Sequence, residues 1–295
     1  MSKYGDIRFL VESYYDVQKL RVETFNRIVA YVKSHKKHET QDDCASQGVI
    51  ETQSRHASRG PTETHFFRAG KDENQAAFAV GAGRKKYALL AHKIVKEHSN
   101  TGEISDLVWY HKSLLETEKQ LAKRLDLWSR KHPLRINFLN RIQGIGPILS
   151  SGIIAWFNPI SRFNTISALW KYCGLAPGQQ RRKGEKSGFN VRLKTFCWKI
   201  ATSFEKQKPE KSYYRRIYDN KKAYYMERPD LKEKTKANEK GIVGHIRNMA
   251  LRYTVKRFLC DMWVFWRQME GLPVTKPYVF DVLGHVDYEE WQPDK

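Results

Sequence analysis

The chain has 295 residues, with 53 lysines and arginines against 32 aspartates and glutamates and a formal net charge of +21. The length supplies a core for one large or two modest domains, and a cation excess this large points to an acidic partner, most commonly nucleic acid. Four scattered cysteines without a C-x-x-C pair argue against a disulfide framework or structural zinc, and no apolar stretch reaches membrane-spanning length.

Apolar residues at three- and four-residue spacing predict a helix in residues 1–37. From His38 to Glu73 this pattern gives way to Gln, Ser, Thr, His and Gly, so residues 38–80 are expected to form a flexible linker or long loop. Gly81-Ala82-Gly83 follows, without the G-K-[ST] ending of a P-loop, and reads as a turn. Residues 81–135 are expected to be a helical arm. Its clearest helix runs from Ile104 to Arg130, with Ser105 as N-cap and Pro133 as stop signal. Leu107, Leu114, Leu121 and Trp128 recur every seven residues. That spacing can form a coiled-coil seam, and so a homodimer through residues 104–130, or pack on its own domain.

Residues 136–205 read as a compact helix-hairpin-helix module and residues 206–270 as a basic helical extension. The extension ends in a helix from His245 to Met269 whose stripe, from Ile246 to Trp266, reads as core. Residues 271–295, opening on Gly271-Leu272-Pro273, are expected to be an extended tail. No run of strands is found. The expected fold class is all-α.

The sharpest local signal is Ile142-Gln143-Gly144-Ile145-Gly146-Pro147. A helix ends, a glycine-apolar-glycine hairpin follows, and Pro147 suits the first turn of the next helix. Glycines leave no side chain between backbone and partner and permit positive φ. The N–H groups of Gly144, Ile145 and Gly146 and the next helix's N-terminus can then meet a phosphate, positioning the backbone without reading sequence. A ligand-free helix–helix turn has the same pattern, and the net charge favours the DNA reading.

A second basic segment supplies Arg181, Arg182, Lys183, Lys186, Arg192 and Lys194, with glycines between the cations. Such a loop can follow a phosphate backbone and release its counterions. Further on, Tyr213-Tyr214-Arg215-Arg216 and Lys221-Lys222-Ala223-Tyr224-Tyr225 interleave rings with cations. The preferred reading turns the tyrosines inward and leaves Arg215 and Arg216 as phosphate contacts; base stacking is the alternative.

No Ser/His/Asp order, metal-ligand cluster or cofactor motif stands out. Asp6, Asp16 and Glu23 read as the wet face of the first helix rather than a two-metal site. No metal and no cofactor are expected.

Residues 136–200 resemble a known family. Ile142 to Pro147, then Ile160-Ser161-Arg162-Phe163, then Tyr172-Cys173-Gly174-Leu175-Ala176-Pro177 are similar, in order and spacing, to the second domain of insertion-sequence one-ten, one-sixteen and nine-oh-two family transposases, the bridge-RNA-guided recombinases. The resemblance covers roughly a third of the chain. It implies a preceding helical segment, which Ile104–Arg130 matches, a RuvC-like domain with acidic residues on a sheet, and a covalent serine nucleophile after the glycine-leucine-x-proline turn. The first hundred residues show no such strand pattern, so that domain is expected to be absent. Gln180 to Gly184 holds no serine, and Ser187 downstream is the weak catalytic candidate. The expected function is a transposase-derived DNA-binding protein of duplex or branched DNA, largely without sequence specificity, associated with the chromosome or nucleoid in the cytoplasm and with no membrane partner. An active serine recombinase and an RNA-binding protein are the alternatives.

Overall fold

The computed structural model describes residues 5–45, 82–97, 104–179, 184, 186–237 and 239–275. Among them are ten α-helices, two 3-10 turns and no strand, an all-α architecture. The helices are α1 (Gly5–Ala45), α2 (Ala82–Lys96), α3 (Ser105–Ser129), α4 (Pro133–Asn137), α5 (Pro147–Phe157), α6 (Ile166–Tyr172), α7 (Val191–Glu205), α8 (Tyr213–Glu227), α9 (Pro229–Ala237) and α10 (Glu239–Met269). Helix α1 therefore runs on through Ala45, past the end that its apolar spacing suggested; the rest of the expected linker to residue 80 lies outside the described residues, as does most of the expected tail. The chain forms two compact units, one of residues 12–121 and one of residues 1–11 with 122–295, and the boundary falls inside α1 and α3.

In the unit of residues 12–121, Ile28 and Val32 of α1, Ala91 of α2, and Ile104 and Val108 form a buried apolar cluster. The buried face of α3 there continues through His111, Leu114 and Glu118, while Leu107 and Leu121 are only half-buried. Its two polar members have partners. Glu118 accepts from Gln18 Nε2 at 2.9 Å and Arg21 Nε at 2.5 Å, and His111 Nδ1 lies 3.2 Å from the Arg21 carbonyl. The buried stripe of α3 there thus keeps Leu114 of the heptad set and takes in the polar His111 and Glu118.

The other unit is organised around α10, which packs against α6, α7, α8 and α9. Ile246, Ala250, Val255, Phe258, Leu259, Met262, Trp263 and Trp266 are at most 2% exposed. A helix carrying that many enclosed apolar groups gains its stability from packing rather than propensity. Polar atoms on its inner face find partners: Trp263 Nε1 donates to the Phe163 carbonyl at 2.9 Å and Arg267 Nη1 to the same oxygen at 3.1 Å. Asp261, buried, accepts from Tyr214 Oη at 2.9 Å and from Arg257 Nε.

Candidate nucleic-acid interface

The glycine turn forms, but what precedes it is not one continuous helix. Helix α4 is a single short turn, Phe138 leaves helical geometry at φ −128°, and a 3-10 turn of Leu139–Arg141 leads into the bend. Ile145 N–H closes the bend on the Ile142 carbonyl at 3.1 Å, and α5 starts with Gly146 as N-cap and Pro147 in its first turn.

The two glycines do different work. Gly144 has φ +99°, and a β-carbon there would meet Ser203 Oγ and Gln207 Cγ at 3.2 Å and Phe204 Cδ1 at 3.3 Å. It is required by conformation and by close approach to the end of α7. Gly146 has φ −86°, which any residue adopts, and a β-carbon there would meet nothing within 4 Å. It is exposed, no side chain caps α5, and the first-turn N–H groups of Ile148 and Leu149 have no intrahelical acceptor. Ile145, 7% exposed, belongs to the core and anchors the turn.

The resembling motifs downstream are also explained by packing. Leu175 N–H reaches the Trp170 carbonyl at 2.9 Å and Gly174 N–H the Lys171 carbonyl at 3.1 Å, a Schellman ending of α6 with Gly174 at φ +68°. A β-carbon on Gly174 would lie 2.4 Å from the Phe189 ring, so the glycine seats that ring. Arg162 lies over the Phe163 and Tyr172 rings at 4.5 and 4.8 Å.

Helix α7 separates the expected contacts into two groups. Asn190 caps its start, its side-chain oxygen accepting from Leu193 N–H at 3.0 Å, and Arg192 and Lys194 lie in the first turn, with Lys186 four residues before the cap. Lys186 and Arg192 are exposed; Lys194 Nζ sits 4.5 Å from the Phe189 ring centre. The glycine turn meets the other end of α7, at Ser203 to Gln207. Arg192 and Ser203 are eleven residues apart on this helix, about 17 Å at 1.5 Å per residue. Arg181, Arg182 and Lys183 lie outside the described residues.

Arg215 and Arg216 also differ. Arg215 turns inward, donating to the carbonyls of Glu205 and Gln207 (3.0 Å to the latter) and to Asp219 Oδ2 at 2.7 Å, so it closes the carbonyl end of α7. Arg216 is exposed and donates to the Pro209 carbonyl at 3.3 Å. The tyrosines divide likewise: Tyr214 and Tyr218 are buried, whereas Tyr224 is 56% exposed under the Lys221 ammonium.

Ser187 is half-buried, and its hydroxyl donates to the Phe189 carbonyl at 3.1 Å. Among the described residues no imidazole or carboxylate contacts that oxygen, and no group of three His, Cys, Asp or Glu could hold a metal ion. Two cations that the sequence did not single out are Arg252 and Lys256 of α10, one helical turn apart, with Lys256 Nζ over the Trp170 ring. Their signal in the sequence was that spacing, beside the apolar stripe.

Comparison with known families bears on one segment of the chain. Residues 136–213 match the Transposase IS116/IS110/IS902 family. The matched segment runs from α4 to the first residue of α8, holding the glycine turn, both ends of α7 and the Schellman ending of α6. No curated protein and no solved structure matches the chain. No helix among the described residues is long and apolar enough to cross a membrane.

Proposed function

We propose that this chain is a transposase-related DNA-binding protein that grips the phosphate backbone of duplex or branched DNA largely without reading sequence. The observation that carries the reading is the open Gly146 at the uncapped start of α5, inside the matched segment. Helix N-termini with free N–H groups attract phosphate, and nothing on Gly146 obstructs its approach.

The net charge of +21 supports the same partner. The cations at the start of α7 form a second contact region, about 17 Å from the glycine turn, close to half of a duplex turn of 34–36 Å. Two backbone contacts at that spacing fix orientation on a duplex while leaving the bases unread.

The test is a binding titration of the full chain against duplex DNA, a four-way junction, single-stranded DNA and RNA over a range of salt. DNA should bind best, with log K falling linearly against log salt. Preference for RNA, or affinity indifferent to salt, would overturn the reading.

A further inference from the structure

Lys194 and Lys256 flank the end of α6 through the Phe189 and Trp170 rings, and Arg252 lies one helical turn before Lys256 on α10. Lys194 comes from the first turns of α7, Arg252 and Lys256 from one face of α10. The Arg252 charge acts on both lysines. Helix α6 completes the frame: Trp170 Nε1 donates to the Lys256 carbonyl at 3.2 Å, and Asn190 N–H donates to the Tyr172 carbonyl at 3.2 Å.

The ammonium groups are held over rings rather than extended into water. Lys256 Nζ is 4.1 Å from the Trp170 ring centre and Lys194 Nζ 4.5 Å from that of Phe189. A cation over an aromatic face is attracted by the ring quadrupole, and the ring fixes its position. Burial, with the neighbouring Arg252 charge adding to it, holds both ammonium groups below their ordinary range.

The backbone compounds the positive charge. Helix α7 has no acidic residue in its first turn, where its dipole favours one, and carries Arg192 and Lys194 there instead. Packing three cations at a helix N-terminus is unfavourable for an isolated chain. An anion from outside reverses the sign, since guanidinium, ammonium and helix dipole all favour a phosphate.

We infer that Lys194, Arg252 and Lys256 form a phosphate-binding site that takes one phosphodiester of the DNA backbone. Arg252 and Lys256 lie beyond the matched segment, so the site joins that segment to the last helix. The inference deepens the DNA-binding reading and rests on it for the source of the phosphate.

The experiment uses the full chain in two arms. In the first, the salt dependence of duplex DNA binding is compared for wild type, Arg252→Gln and the double variant Arg252→Gln/Lys256→Gln. The single variant should lose about one from the log–log slope and the double variant about two. Arg252 is exposed, so its variant keeps the test valid should loss of the Lys256–Trp170 contact impair folding. In the second arm, melting temperature is followed in sodium phosphate and in sodium chloride of matched ionic strength. Phosphate should raise the wild-type melting temperature more than chloride does, and the excess should vanish in the double variant.

Unchanged slopes in folded variants that still bind DNA would overturn the site while leaving the DNA reading standing. A phosphate effect confined to wild type, in a protein that binds no DNA, would keep the site and overturn that reading. RNA bound in preference to DNA, with the same loss of slope in the variants, would also keep the site and overturn DNA as the source.

Discussion

The Ser203 hydroxyl donates to the Gly144 carbonyl, fastening the glycine turn to the end of α7 across 59 positions of sequence. This contact makes Gly144 part of the packing, whereas Gly146, two residues on, faces open space. One glycine holds the turn in place; the other leaves it accessible.

Substitution should therefore separate stability from affinity. Gly144→Ala forces a side chain into φ +99° and against α7, and should cost about 1–3 kcal/mol. Gly146→Ala puts its methyl into open space, and should cost under about 1 kcal/mol. Gly146→Val should still fold yet bind DNA more weakly, because its side chain stands where the phosphate approaches. Urea melts and DNA titrations of the variants check this; equal loss of stability at both positions would refute the division of roles.

The two neighbouring arginines give a second separation. Arg215→Ala removes the donor that closes the carbonyls of Glu205 and Gln207, and should destabilise by about 1–3 kcal/mol. Arg216→Ala should leave the melting temperature nearly unchanged and flatten the salt dependence of DNA binding by up to about one. The reverse pattern in thermal melts and salt titrations would contradict these placements.

The basic loop is tested through salt. Replacing Arg181, Arg182 and Lys183 together with alanine should reduce the log–log slope by about two to three. An unchanged slope would remove the loop from the interface.

Stability should depend on pH through Asp261. Burial outweighs the Arg257 guanidinium and the Tyr214 hydroxyl, and pushes its carboxyl up to about 6 from an ordinary 3.8. The folded state then holds this proton more tightly than the unfolded chain, so stability falls as pH rises from about 4 to about 6 and levels off above. The contribution is at most about 3 kcal/mol. Asp126, held low by Arg130 and Arg135, acts in the opposite sense at more acidic pH. The difference between wild type and Asp261→Asn in urea midpoint, measured from pH 4 to 7, isolates the first effect; a flat difference would refute it.

Ser187→Ala deletes one hydroxyl bonded to the Phe189 carbonyl, and should cost about 0.5–1.5 kcal/mol without altering DNA affinity. Neither protein should trap a DNA adduct that survives denaturing electrophoresis. A Ser187-dependent band would establish a nucleophile and replace the binder with a recombinase.

The all-α class and the core face of α10 were legible in the sequence because apolar periodicity reports burial directly. The glycine turn was legible too, since few residues suit such a bend. The unlike roles of Gly144 and Gly146 were not, because they depend on α7, which arrives from a distant part of the chain. Nor does chain order tell that α7 holds its own cations and the glycine turn at opposite ends. Arg215 looked like its neighbour Arg216 until the carbonyls it closes were in place. Arg252 and Lys256 were hidden by the apolar stripe around them, and only packing brings them to Lys194.

The crossing of α5 and α7 has a consequence for descent. Gly152 faces the Phe196 ring so closely that a β-carbon would stand 2.2 Å from its Cζ. A methyl at 152 therefore cannot be inherited unless the ring at 196 is reduced, or the helices part and carry the glycine turn with them. Among descendants of this sequence, the two positions should change as a pair: glycine with an aromatic, or alanine with something smaller. Lineages that break the pairing should differ in how far the turn stands from the start of α7, and so in the spacing of backbone contacts they can make.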